Sequence, residues 1–172
     1  MSRRTALALL VSPVMALTLA AALIAFLLVT GTLVLADLPN NAVKIGNLRI
    51  HMMLGGLAGL LVISRIIMRR RFPAPPALAG HKLALAGHLA LNLIILLLVF
   101  SGVMLGLQSG AFDAVFGSGV LPEDFKQFTP RKIHGLASRL AMGLIALHIL
   151  AAVWHQFIVK DGLLSRMRFG SR

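Results

Sequence analysis

Pro130-Arg131-Lys132-Ile133-His134-Gly135-Leu136-Ala137-Ser138-Arg139-Leu140-Ala141-Met142-Gly143-Leu144-Ile145-Ala146-Leu147-His148 opens an apolar run that continues through Trp154-His155 to Val159. It is long enough to cross a bilayer, and it carries three histidines. His134 and His148 are 14 residues apart. At about 100° and 1.5 Å per residue, that spacing returns to nearly the same helix face and covers roughly 21 Å. A hydrocarbon core is about 30 Å thick. One helix therefore aims two imidazoles inward, one near each membrane surface, and His155 extends the stripe to the edge. An imidazole is costly in lipid and there marks a site. It is also a haem iron ligand.

The rest of the chain agrees with a membrane setting. Of its 172 residues, 58% are hydrophobic, and the mean hydropathy is +0.90. A soluble domain cannot expose that much apolar surface. There are no cysteines, which excludes disulfides, iron–sulfur clusters and thiolate metal sites. Tyrosine is absent and Trp154 is the single tryptophan, so the aromatic belt is weak.

Four apolar runs predict helices at about residues 5–36, 41–68, 83–108 and 130–159, all within one membrane domain spanning 1–172. Asp37-Leu38-Pro39-Asn40 joins the first two. Arg69-Arg70-Arg71-Phe72-Pro73-Ala74-Pro75-Pro76 ends the second, because proline blocks continuation. Residues 109–129 hold three of the five acids with glycine and proline, and read as a surface loop. Thr129-Pro130 reads as an N-cap followed by proline at the first helical position. The stretch after Arg3-Arg4 is too long for the h-region of a signal peptide, roughly 7–15 residues, and reads as an uncleaved first helix. The predicted fold is an all-α, integral membrane four-helix bundle, up-down-up-down.

The net charge of +12 follows from 17 Lys+Arg against 5 Asp+Glu. Arg3, Arg4, Arg65, Arg69, Arg70, Arg71, Lys82, Lys160, Arg166, Arg168 and Arg172 fall on one side of the predicted bundle. Lys44, Arg49, Lys126, Arg131, Lys132 and Arg139 fall on the other. Eleven against six places both termini in the cytoplasm by the positive-inside rule. Helix-end cations beside lipid account for the basicity without nucleic acid as a partner.

In this topology helices two and four run in the same direction. His51 and His134 then lie at similar depth near the outer surface, and a matched pair on neighbouring helices can hold one haem iron from both sides. Gly55, Gly56 and Gly59 remove bulk beside His51, as Gly135, Ala137 and Ser138 do beside His134. Arg49, Arg131, Lys132 and Arg139 are placed to pair with haem propionates. The alternative is that both imidazoles are interfacial residues packing between helices. For the inner half, His148 needs a partner from another helix. The cytoplasmic half of helix one reads Leu10-Val11-Ser12-Pro13-Val14-Met15-Ala16, without histidine. Met15 has axial-ligand chemistry but reads more simply as apolar packing. His88, with Asn92 on the same face, is either an alternative partner, a quinone contact or a proton relay. His155 is placed to snorkel to headgroups, and His81 falls outside the membrane. Gly55/Gly59 and Gly102/Gly106 are close-approach pairs that permit a homodimer.

These residues resemble the prokaryotic cytochrome b561 family and the b-type cytochrome subunits of nickel–iron hydrogenases and formate dehydrogenases. The resemblance covers about residues 45–169. It is carried by Leu48-Arg49-Ile50-His51 with the glycines after it, by Ser64-Arg65 through Arg71-Phe72-Pro73-Ala74-Pro75-Pro76, by Gly87-His88-Leu89 and by His134-Gly135-Leu136-Ala137. Ala146-Leu147-His148, Trp154-His155 and Lys160-Asp161-Gly162-Leu163-Leu164 complete it. It implies a four-helix cytochrome of the bacterial inner membrane with two haem b groups, exchanging electrons with quinone. His51 and His134 would hold the outer haem, and His148 the inner one with a histidine from helix one. Arg65, His88 and His155 match positions near the inner site, where they would bind a quinone or a propionate. The chain departs from the family at Ser12-Pro13-Val14-Met15, so its literal sequence accounts for one haem and the resemblance for two.

The expected function is electron transfer between a periplasmic or membrane redox partner and quinone. A bis-histidine haem has no open coordination position, so it exchanges electrons without binding oxygen. Two rivals stand beside this reading: a membrane anchor for a larger oxidoreductase, and a haem-free helical membrane protein.

Overall fold

The computed structural model describes residues 13–71 and 81–161; in the first and third helices the side chains are described from Thr18 and Lys82 onward. The expectations for Arg3, Arg4, Ser12, Phe72 to Pro76, Leu163, Leu164 and the C-terminal arginines lie outside the described residues, as do those for the side chains of Met15 and His81.

Every described element is helical. Helix α1 spans Pro13–Thr30 and continues as a π-helical turn over Gly31–Leu35. Helix α2 spans Ala42–Arg71, α3 His81–Gln108, α4 Ala111–Phe116 and α5 Thr129–Trp154, the last continuing as a π turn over His155–Val159. Four of these segments are long and apolar enough to cross a membrane: Thr18–Leu35, Ala42–Arg71, Lys82–Gln108 and Thr129–Val159. Their outer faces carry exposed Leu33, Leu60, Leu83, Leu147, Leu150 and Phe157. Such a surface is stable against lipid and not against water.

The four long helices share one core. Leu28 of α1, Val62 of α2, Ile95 of α3 and Ala141 of α5 are buried together. Small residues allow the close approach: Ala58, Ala137 and Ala141 are 0–2% exposed. A Cβ on Gly59 would meet Val99 of α3 at 3.0 Å. The π turn in α1 has a local cause. Thr30 Oγ1 donates to Phe26 O at 2.8 Å and Thr32 Oγ1 to Leu28 O at 2.5 Å. Threonine hydroxyls that take carbonyls one turn back compete with the regular ladder, and Gly31 between them adds no helix preference.

One expectation is extended and one corrected. Residues 109–129 lie at the surface as expected, but they are more than a loop, since with the short helix α4 they form a packed cap. Ala111, Ala114 and Leu121 are buried against Ile45, Leu48, Met52 and Phe125. Thr129 is the first residue of α5 and not its N-cap; Phe128 takes that position without a side-chain hydrogen bond, and Pro130 still sits in the first turn. The cap is tied down from α2. Arg49 Nε and Nη2 donate to Val115 O at 3.0 and 2.6 Å, placing a cation at the C-terminal end of α4. Asn40 Nδ2 donates to Pro122 O at 2.7 Å. One end of the bundle is thereby closed by residues 109–128.

Candidate haem site

Under this cap lies a cavity of about 670 Å³ bordered by α1, α2, α3 and α5. His51 of α2 and His134 of α5 both line it, with ring centroids 6.3 Å apart and planes at 70°. The depth match expected from the sequence is present as a direct juxtaposition.

Each imidazole is seated against a glycine of a neighbouring helix. A Cβ at Gly31, in the π turn of α1, would lie 3.1 Å from His51 Cε1. A Cβ at Gly102 of α3 would lie 3.3 Å from His134 Cε1. The two seats differ in polarity. His134 Nδ1 lies 3.0 Å from Leu98 O and 3.1 Å from Ser101 Oγ. A carbonyl oxygen only accepts, so Nδ1 carries the proton and Nε2 keeps its lone pair. His51 Nδ1 is buried without a hydrogen-bond partner among the described residues, so that nitrogen is held by packing.

The donor set fits a porphyrin iron. A metal held from opposite sides needs about 2 Å for each metal–nitrogen bond and about 1 Å more to each ring centre, so roughly 6 Å between centroids. The observed 6.3 Å matches. Gly55 and Gly56 line the cavity, and a Cβ on either would meet nothing within 4 Å. Lys44, Lys126, Arg131 and Arg139 also line it, as cations suited to buried carboxylates. Arg131 folds back along α5, its Nη1 only 3.3 Å from where a Gly135 Cβ would stand. Arg49, expected here, is not on the cavity wall; its guanidinium holds Val115.

The remaining expected residues gather in the other half of the bundle. His88 of α3 and His148 of α5 face one another with centroids 5.3 Å apart and planes at 56°. Arg65 Nη1 of α2 donates to Asn92 Oδ1 at 3.1 Å. His155 Nδ1 pairs with Asp161 Oδ2 at 2.6 Å, folded back by Lys160 in the left-handed region at φ 55°. Of the four glycines marked for helix contacts, Gly59, Gly102 and Gly106 meet Val99, His134 and Phe112 of the same chain.

Gly31, Leu98 and Ser101 were not singled out from the sequence. Ser101 did carry a signal, as a hydroxyl inside the apolar run of α3. Gly31 carried none, because its value depends on which helix lies opposite.

Four helices long and apolar enough to cross a membrane, around a cavity with two imidazoles 6.3 Å apart, define a helical membrane protein with room for a flat group between histidines. The family model for prokaryotic cytochrome b561 matches residues 17–170, and the chain belongs to that family. Membership makes it a multi-pass membrane b-type cytochrome. The match begins after the departing stretch Ser12-Pro13-Val14-Met15. A relative from Yersinia pestis, named a probable superoxide oxidase CybB, is 28% identical over 127 residues, covering 69% of this chain and 72% of the relative. Cytochrome b561 homolog 1 of Escherichia coli K12 is 31% identical over 128 residues, covering 68% and 72%. No solved structure matches the chain significantly.

Proposed function

We propose that this chain is an inner-membrane electron carrier whose haem b is held by His51 and His134, and that it moves electrons between a donor at the capped end and quinone in the bilayer. The observation that carries the reading is the 6.3 Å imidazole pair on the cavity wall. A bound haem would supply one-electron exchange. The protein's part is to present two Nε2 lone pairs, to exclude water with the cap and to balance the propionates with Lys44, Arg131 and Arg139. The excess of cations at the opposite helix ends supports cytoplasmic termini, an up-down-up-down order and a periplasmic cap.

The name of the Yersinia pestis relative suggests superoxide as the donor. That choice agrees with the cations at the cavity, which attract a small anion. Two superoxide anions would each lose one electron to leave dioxygen, and quinone would take both electrons with two protons to become quinol.

The test is spectroscopic. Purified protein supplied with haem is expected to show a low-spin b-type spectrum. Its oxidised form is expected to be reduced by superoxide, and its reduced form reoxidised by quinone. Failure to retain haem overturns the cytochrome site. Retained haem that exchanges electrons with neither reagent overturns the assigned partners.

A further inference from the structure

The two imidazole pairs differ in spacing, and the difference bears on how many haems the chain holds. Opposed ligands on one metal place ring centres roughly 6 Å apart, whereas the same bonds at a tetrahedral angle bring them to roughly 5 Å. His51 and His134 stand at 6.3 Å and His88 and His148 at 5.3 Å. The first value is near the spacing for opposed ligands and the second near the tetrahedral one. The pairs also differ in setting. His51 and His134 are partly buried on a cavity wall that includes open space at Gly55 and Gly56. His148 is exposed on the bundle surface, and its ring neighbour is His88. Nearby, Arg65 is engaged with Asn92, one turn from His88.

No other helix supplies a histidine as partner. The six histidines of the chain are His51, His81, His88, His134, His148 and His155, and none falls on α1. We infer that the chain holds a single haem, under the cap, and that His148 belongs to a polar cluster with His88, Arg65 and Asn92 instead of ligating a second iron. The inference rests on His51 and His134 being the axial pair. Its functional consequence is that one-electron chemistry stays in the capped half, so turnover carries no electron across the full bilayer.

The experiment is a pyridine haemochrome count per polypeptide on the purified full-length chain, its His148→Ala variant and its His51→Ala variant. The expected values are about one, about one and about zero haem per chain, with a single n = 1 wave in the redox titration of the wild type. Two haems in the wild type, or a haem content lost or halved in His148→Ala, overturns the inference. Should that variant fail to fold, the wild-type count alone decides. A His51→Ala variant that keeps all its haem sinks the axial pair itself, a separate outcome from a second haem.

Discussion

The Nδ1 of His134 lies 3.0 Å from the carbonyl oxygen of Leu98, and this contact sets which nitrogen of the ring is free. Ser101 Oγ stands at 3.1 Å from the same atom and itself donates to Leu97 O at 2.7 Å. The hydroxyl is therefore a second acceptor for the Nδ1 proton, not its main one. Groups behind a metal ligand typically matter by about 10–100-fold in affinity. Ser101→Ala is expected at the low end of that range, because Leu98 O remains. Haem titration of the apoprotein measures it, and an unchanged affinity would remove Ser101 from the site.

Removing either axial candidate tests the pair directly. His51→Ala and His134→Ala are each expected to lower retained haem more than about tenfold, beyond the typical effect of a supporting group. Both leave a ring-sized hole beside the cavity. Imidazole added to the buffer is expected to restore part of the Soret band. Rescue separates a lost ligand from a lost fold.

Much of this arrangement was legible beforehand, and the reasons differ by residue. The four spans follow from apolar length alone, and the bounds of α2, of α3 and of α5 together with its π turn lie within three residues of those expected. His51 and His134 were legible as a pair because helical rise converts sequence position into depth. The packing of the cap is not legible from composition, because the burial of Ala111, Ala114 and Leu121 depends on contact with α2. Arg49 was placed beside the cavity correctly in depth, but depth does not set direction around a helix, and its guanidinium turns to α4. The His88–His148 contact had been one of several alternatives, since a single helical stripe does not name the helix facing it.

The glycine seats predict a graded series. A Cβ at Gly31 would press on His51 Cε1 at 3.1 Å, one at Gly102 on His134 Cε1 at 3.3 Å, and one at Gly46 would meet nothing within 4 Å. Gly31→Ala is expected to weaken haem retention most, because His51 Nδ1 has no hydrogen bond among the described residues to restore the ring's orientation. Gly102→Ala should do so less, and Gly46→Ala not at all. Helix content by circular dichroism should hold in all three, since alanine favours a helix by up to about 1 kcal/mol over glycine. Equal haem loss across the series would contradict the seating.

Arg49 predicts a stability effect confined to the cap. Its two contacts to Val115 O are charge-assisted, and Val115 is fully buried. Arg49→Ala leaves that carbonyl short of a donor, at a cost of roughly 1–3 kcal/mol. The expected result is faster proteolysis within residues 109–128, with the four spans intact. Lysine at this position should recover only part of the protection, because one ammonium does not reproduce two parallel N–H donors. Unchanged cleavage in Arg49→Ala would show that apolar packing alone holds the cap.

Arg131 predicts the sign of an electrostatic shift. Its guanidinium lies along α5 beside His134, on the cavity wall. A fixed cation near a haem favours the ferrous form, which carries one positive charge fewer than the ferric form. Arg131→Gln is therefore expected to lower the midpoint potential. A unit charge acting through partly screened protein contributes on the order of 1 kcal/mol, or a few tens of mV for one electron. Arg70→Gln, at the far end of α2 and exposed, is expected to leave the potential unchanged. Potentiometric titration of both variants checks the pair, and a rise in Arg131→Gln, or equal shifts in the two, would contradict a haem placed beside Arg131.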